Sequence, residues 1–479
     1  MAASFFFYDL ETSGINPREA RIMQFAGQRT DMDLNPVGEP VDIIVKLTPD
    51  VLPEPDAILL TGITPQQTIS DGITEAEFLK VFEKEIATPD TIFVGFNSIR
   101  FDDEFMRYTR YRNFYDAYDW QWKDGRSRWD LLDLLRMTRA LRPDGIEWPF
   151  APDGKPTNRL ELLTKLNGLD HAHAHDALSD VLATIAVAKL VKDKQPKLFD
   201  FLLNVRDKKK VAALVNAGEP FVYTSGKYAN EHEKTAVVLK IADDISKQGA
   251  LVYDLHFDPD EYTNLSPKEL VKIWQWQKDP NAKKLPVKTI KFNRCPAVAP
   301  VAVLDAASQE RIKLDQKTWQ TNALKLAAAK DFAKNLLEAQ AMMEKQRQTE
   351  FMSAEQNVDA QLYDGFLGDH DGNLQRVVRA SEPDDLTKII DDFHDKRLKA
   401  LVPLYKARNY PAQLSSEERE QWDVFCSQKL FAGGNNSRLA KYFERLAACA
   451  SLPQYKDKQF LLEELQLYGQ SIMPAELEA

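Results

Sequence analysis

The chain of 479 residues has only three cysteines, Cys295, Cys426 and Cys449, far apart and without a Cys-x-x-Cys pair. That removes a disulfide framework and a cysteine-ligated zinc site. No apolar run approaches the length needed to span a membrane. The one N-terminal apolar stretch, Phe5 to Tyr8, is too short for a signal-peptide core and runs straight into acids. A reducing cytoplasm is therefore the expected compartment. Excess positive charge is also missing: the formal net charge is -11, which taken as a sum argues against a polyanionic partner. Internal repeats and low-complexity tracts are absent. What remains, 44% hydrophobic and 28% charged, is an ordinary globular composition spread over enough residues for two or three domains.

The order of hydrophobic patterns divides the chain. Up to about residue 195, "SFFFYDLE", "VDIIVKL" and "TIFVGFN" read as strands, while residues 75–86, 130–141 and 177–192 carry helical spacing. This is an α/β domain. The charged, proline-containing stretch "KDKQPKLFD" breaks it off. Between about 220 and 305, "EPFVYTSGKY", "TAVVLKIA", "GALVYDLHF" and "VKTIKFNRC" are short β-rich runs separated by turn residues, the pattern of a small barrel or meander. From about 308 to the end the pattern is mainly helical.

The chemistry is concentrated in three short acidic stretches. In "FFFYDLET", strand alternation sets Asp9 and Glu11 on one face, side by side at the strand's end. Two neighbouring carboxylates call for a cation between them, either a basic side chain or a metal ion. In "SIRFDDEF", Asp102, Asp103 and Glu104 lie at a strand-to-helix junction, the edge at which α/β sheets build their sites. In "DHAHAHDALSD", His175 stands five residues before Asp180, which opens an apolar helix with Val181, Ile185 and Ala188 on one stripe. The alternating His171, His173 and His175 suggest a zinc or nickel site, but no fourth ligand accompanies them. Asp9, Glu11, Asp102 and Asp180 are four hard oxygen donors and suit Mg²⁺ or Mn²⁺. Two such ions, about 3.5–4 Å apart, form a clamp for in-line displacement at phosphorus, with a neutral histidine able to deprotonate the attacking water.

"FYDLET", "GFNSIRFDDEF" and "HDALSD", in that order and at those separations, resemble the three exonuclease motifs of the DEDDh superfamily. Further stretches, among them "GITPQQ", "RYRNFYDAYDWQW", "SRWDLLDLLR", "ALRPDGIEWP", "NRLELLTKLNGL", "NVDAQLYDGF" and "YKARNYP", are similar to the bacterial exonuclease I family. The resemblance implies a processive 3′-to-5′ exodeoxyribonuclease of DNA repair and recombination that degrades single-stranded DNA to 5′-mononucleotides. It implies two Mg²⁺ ions, with Mn²⁺ as a substitute, held by Asp9, Glu11, Asp102 and Asp180, and His175 as general base. Arg159, together with Glu11, Thr12 and Asn97, would contact the substrate; His171 and His173 receive no role. The implied architecture is an RNase H-like exonuclease domain at 1–195, an SH3-like β-barrel domain with a helical extension at 196–348 and a C-terminal α-helical domain at 349–479. The implied partner is single-stranded-DNA-binding protein, through its acidic C-terminal tail, and the expected state is a monomer.

Charge distribution supports a nucleic-acid partner despite the acidic total. "RYTRYRNFYDAYDWQWKDGRSRW" interleaves Arg107, Arg110, Arg112, Arg126 and Arg128 with aromatics, the combination used to bind single strands, and a core rarely holds so many arginines. The segment is read as partly a strand-binding surface, with about half its aromatics in the core. The basic runs near 206–210 and 283–294 would extend that surface. Three other functions compete. An exoribonuclease of the same superfamily keeps the catalysis, but those enzymes are typically short. A noncatalytic single-strand-binding scaffold would not need all five catalytic positions. A phosphatase with Asp9 as nucleophile usually wants a D-x-D pair and leaves the His175–Asp180 spacing without a purpose.

Overall fold

The computed structural model describes residues 3–171, 176–275, 278, 279, 281–351 and 357–473. Its contacts divide the chain into two compact units, Met1–Ser127 with Ala172–Leu182 and Glu355–Ala479, and Arg128–His171 with Ala183–Ala354.

The first unit is built on a sheet whose central strand is β1 (Ser4–Thr12). β2 (Ile22–Thr30) pairs with it antiparallel from Phe5↔Thr30 to Glu11↔Gln24, β3 (Val41–Ile44) extends β2, and β4 (Thr91–Gly95) runs parallel to β1 on its other side. β5 (Ser127–Asp130) lies where the chain passes into the second unit. Nearly every residue of β1 is buried, because a central strand covered on both faces takes a continuous apolar run in place of alternation. Phe6 and Tyr8 meet Phe25, Phe78, Phe82, Phe93 and Trp120 in one aromatic cluster. The expected strands are present; β2 was not anticipated, since "IMQFAGQRT" buries polar Gln24 and Gln28 beside its apolar residues and shows no clear period. The helix expected over 75–86 forms as Glu75–Val81 and continues as a wider turn, Phe82–Ile86.

Two helices matter for the site. α1 (Asp102–Arg112) follows β4 through a tight turn in which Asn97 takes a left-handed backbone (φ 68°). Gly95 is required there, since a Cβ would lie 2.5 Å from that of Ser98. α2 (Ala177–Lys194) buries Val181, Ile185 and Ala188, the stripe read from the sequence. The C-terminal helices return to this same unit: Leu401, Val402 and Tyr405 of α3 (Lys396–Asn409) and Trp422 of α4 (Ser416–Phe431) share a core with Tyr108, Tyr111 and Phe114.

The second unit contains an antiparallel sheet, in order β10-β6-β7-β8-β9, formed by β6 (Phe221–Thr224), β7 (Thr235–Asp243), β8 (Gly249–Asp254), β9 (Val287–Lys291) and β10 (Ala297–Pro300). Val211 and Val215, from the helix Lys208–Val215, pack on Phe221, Val238, Val252, Ile290 and Val298. The helices Gln316–Ala328 and Phe332–Phe351 follow.

Candidate active site

Alternation along β1 sends Tyr8 into the aromatic core and turns Asp9 and Glu11 the other way. Carboxylate oxygens of Asp9, Glu11 and Asp180 all lie within 4.8 Å of one another. Asp180 sits in the first turn of α2, and Asp176 holds that turn: its carbonyl accepts from the Asp180 amide at 2.9 Å and its carboxylate from the Ser179 amide at 3.0 Å. Asp176 is also electrostatically part of the site, since its charge acts on both Asp9 and Glu11. Sequence reasoning missed it, although it stands within "HDALSD".

Burial, and then the charges of Asp180 and Asp176, push the Asp9 carboxyl well above its ordinary value. Burial, then Asp9, Asp180 and Asp176, push Glu11 up to about 9. Acids whose ionised forms are disfavoured this strongly mark a place where positive charge belongs. Because the donors are all hard carboxylate oxygens, that charge fits a hard divalent cation.

The remaining candidates divide. Asp102 is buried as the first residue of α1 but is outside the three-carboxylate group. Its neighbour Asp103 has a separate task, accepting a hydrogen bond from the Tyr8 hydroxyl at 2.5 Å, with both groups buried. One strand thus supplies two site carboxylates from one face and a clamp on the start of α1 from the other. Thr12 is buried at the end of β1, where its hydroxyl donates to the Gly14 carbonyl at 2.8 Å. Arg159 is exposed just before the helix Leu160–Leu166 of the second unit. His175, like His173, lies outside the described residues. His171 is 3.2 Å from the Thr164 hydroxyl.

The arginine-rich segment is not the surface expected. Arg107, Arg110, Arg112, Arg126 and Arg128 are all buried. Arg107 pairs with Glu104, Arg110 with Glu83 and Asp119, and Arg112 with Glu75 at 2.8 Å. Arg126 donates to the Ala87 carbonyl at 2.5 Å and Arg128 to that of Asn293 at 2.7 Å. Each guanidinium is taken up by an acid or carbonyl, several of them distant in sequence, which makes burial tolerable. Besides Asp116, Lys123 and Asp124, the side chains that the segment exposes are aromatic. Trp122 is mostly exposed and Tyr118 partly so, with Arg107 5.3 Å from the Tyr118 ring. Tyr363, whose hydroxyl donates to Glu104, is half exposed, and Phe366 is fully exposed. The basic runs of the second unit do reach solvent: Lys208, Lys209, Lys210, Lys283, Lys284 and Arg294 are exposed.

Comparison with known proteins agrees with this arrangement over almost the whole chain. Three family models match in succession: exonuclease over residues 6–188, the exonuclease I SH3-like domain over 206–341 and the exonuclease I C-terminal domain over 356–472. Exodeoxyribonuclease I of Haemophilus influenzae is 39% identical over 434 residues, covering 89% of this chain and 90% of the relative. Exodeoxyribonuclease I of Escherichia coli is 37% identical over 482 residues, covering 98% of each. Among solved structures, E. coli exonuclease I in complex with a dA16 oligonucleotide superposes with a TM-score of 0.92 at 37% identity, covering 98% of this chain and 100% of that one. A structure of SSB/exonuclease I in complex with an inhibitor gives 0.89 at 35% identity, covering 99% and 100%. The three motifs, the SH3-like sheet and the returning C-terminal helices are thus one inherited arrangement, and the chain belongs to the exonuclease I family.

Proposed function

We infer that this protein is an exodeoxyribonuclease that removes nucleotides from the 3′ end of single-stranded DNA and releases 5′-mononucleotides, acting in DNA repair and recombination. The observation that carries this reading is the partly buried group Asp9, Glu11 and Asp180, in a chain matched over 98% of its length by an exodeoxyribonuclease I relative. Catalysis in the exonuclease superfamily needs a divalent metal. Two Mg²⁺ ions, replaceable by Mn²⁺, are the proposed occupants, with Asp9, Glu11, Asp180 and Asp102 as their holders. Bound there, the ions would supply Lewis-acid stabilisation of charge at the scissile phosphate.

The chain's own residues do the rest. His175 takes a proton from water as its oxygen bonds to phosphorus; the bond from phosphorus to the 3′ oxygen breaks, that oxygen takes a proton from solvent so that the strand keeps a 3′ hydroxyl, and the released nucleotide keeps its 5′ phosphate. Thr12, Asn97, Glu11 and Arg159 are the proposed contacts to the terminal nucleotide. Tyr118, Trp122, Tyr363 and Phe366 offer exposed rings on which bases can stack, and the exposed lysines of the second unit suit the phosphate chain. The domain division 1–195, 196–348 and 349–479, a monomeric state and a cytoplasmic location belong to the same reading. None of the described helices is long and apolar enough to cross a membrane. Recruitment by the acidic tail of single-stranded-DNA-binding protein is proposed from the relative solved with SSB.

The test is digestion of a 5′-labelled single strand with Mg²⁺ or EDTA, by the wild type and by Asp9→Ala and His175→Ala. A ladder shortening from the 3′ end, absent with EDTA and lost or severely slowed in both variants, is expected. Intact DNA beside degraded RNA would move the reading to an exoribonuclease.

A further inference from the structure

The first unit buries a set of charges that takes no part in the chemistry above. Asp359 accepts from Arg21 at 2.8 Å and from both terminal nitrogens of Arg408 at 2.9 and 2.7 Å. Asp50 accepts from Arg408 at 2.8 Å and from Lys429 at 2.7 Å. Glu75 accepts from Arg112 at 2.8 Å, and Arg21 Nε approaches it at 3.9 Å, joining the two halves. All seven side chains are nine-tenths or more buried. Four cations thus face three carboxylates, a surplus of one positive charge out of contact with water.

Two further observations point to how the surplus is met. Arg408 Nε and Arg112 Nη1 are shielded from solvent and have no hydrogen-bond partner among the described residues. A small cavity lined by Arg21, Lys46, Glu75, Arg408 and Asn409, with Thr48 and Thr74, offers about 10 Å³ to the centre of a water-sized sphere. That is room for one water-sized guest. Three of its lining side chains are cationic and one is anionic. The lining hydroxyls are already spent on carboxylates, Thr48 donating to Asp50 at 2.6 Å and Thr74 to Glu77 at 2.9 Å. The Asn409 amide donates to Asn113 at 3.1 Å and to the Tyr405 carbonyl at 3.0 Å. A guest is therefore offered positive charge and guanidinium donors. Water would leave the surplus uncompensated, and a sulfate or phosphate exceeds the space.

We propose that this cavity is a binding site for a monovalent halide, chloride under physiological conditions, which neutralises the surplus cation of the Arg21–Arg112–Arg408–Lys429 cluster. Its walls come from the N-terminal α/β part and from α3, so the ion fastens the C-terminal helices to the domain that carries the acidic site. Burial, then the neighbouring Arg112 and Arg408, holds the Arg21 guanidinium below its ordinary value, while Asp359 and Asp50 overcome burial to hold that of Arg408 above it.

The test uses the full-length protein in EDTA. Thermal melts in potassium glutamate, chloride and bromide at matched ionic strength should show a midpoint that climbs with the logarithm of halide concentration above saturation and stays flat in glutamate. Crystals grown with bromide should show one anomalous peak in this cavity. Lys429→Met, which balances the cluster at three charges of each sign, should lose the halide dependence. A water in place of bromide, or melting insensitive to halide in the wild type, overturns the proposal. Because the bromide experiment uses the wild type, it decides the matter even where Lys429→Met fails to fold.

Discussion

Replacing Asp9 by asparagine should have opposite effects on the metal-free and the metal-bound protein, and the structure sets the scale of both. Asp9, Glu11 and Asp180 have oxygens within 4.8 Å of one another, so each ionised pair repels by about 3.5 kcal/mol or more at an effective dielectric near 20. Part of that strain is already relieved by protonation, as Glu11 pushed up to about 9 indicates. What the Asp9→Asn substitution removes in addition is worth about 1.4 kcal/mol, the equivalent of one pKa unit. In EDTA the variant should therefore melt higher than the wild type, by on the order of 3 °C for a unit of this size. With Mg²⁺ at one hundred times its dissociation constant the wild type gains about 2.7 kcal/mol, and the variant, short of a ligand, gains little. The two melting curves should exchange order between EDTA and Mg²⁺, measured by differential scanning fluorimetry at pH 7.5. If Asp9→Asn melts below the wild type in EDTA, or gains as much from Mg²⁺, the carboxylates are not a strained metal cradle.

Asp359→Asn leaves Arg408 and Lys429 with Asp50 alone and Arg21 with only Asp50 at 3.8 Å and Glu75 at 3.9 Å, and breaking a buried pair in this way costs about 3–5 kcal/mol, read in the first transition of a urea titration. Burial would raise the Asp50 and Asp359 carboxyls, but Arg408, Lys429 and Arg21 override it and hold both below the usual carboxylate range. Their stabilisation is therefore complete above the unfolded value of about 3.9 and drains away as the pH falls below it; the wild type should lose more stability than the variant between pH 5 and 3. Trp122→Ala and Phe366→Ala should each weaken single-strand binding by about 1–3 kcal/mol with no change in its salt slope, followed by anisotropy in EDTA. An unchanged affinity would remove those rings from the binding face.

The parts of the fold governed by short-range pattern were legible. β1 and β4 stood out because a strand covered on both faces reads as an unbroken apolar run, and α2 because its stripe repeats with helical period. Asp9 and Glu11 followed from strand alternation alone, whereas Asp180, 169 positions beyond Glu11, was grouped with them by the chemistry of its carboxylate and by the motif resemblance, with nothing local to place it there. Other features had no local signature. Nothing in "NVDAQLYDGF" announces that Asp359 is the buried partner of Arg21, nor does the sequence near Tyr8 announce its bond to Asp103. Such pairs exist only once distant segments pack.

The same limit explains the misreading of the arginines, and it changes where DNA affinity should come from. Counting charges along "RYTRYRNFYDAYDWQWKDGRSRW" finds five arginines, but Glu75 and Glu83, which neutralise two of them, lie outside that window. A guanidinium already bonded to carboxylate has little charge left for a phosphate. In the proposed reading the segment contributes ring faces, through Tyr118 and Trp122, while the counterion-releasing contacts fall to cations that remain in water, Lys123, Lys208–Lys210, Lys283, Lys284 and Arg294. Stacking and charge are then supplied by different residues of the chain. On that reading an acidic protein of net charge -11 should grip a single strand base by base and bind duplex DNA, whose bases are already stacked and out of reach, far more weakly.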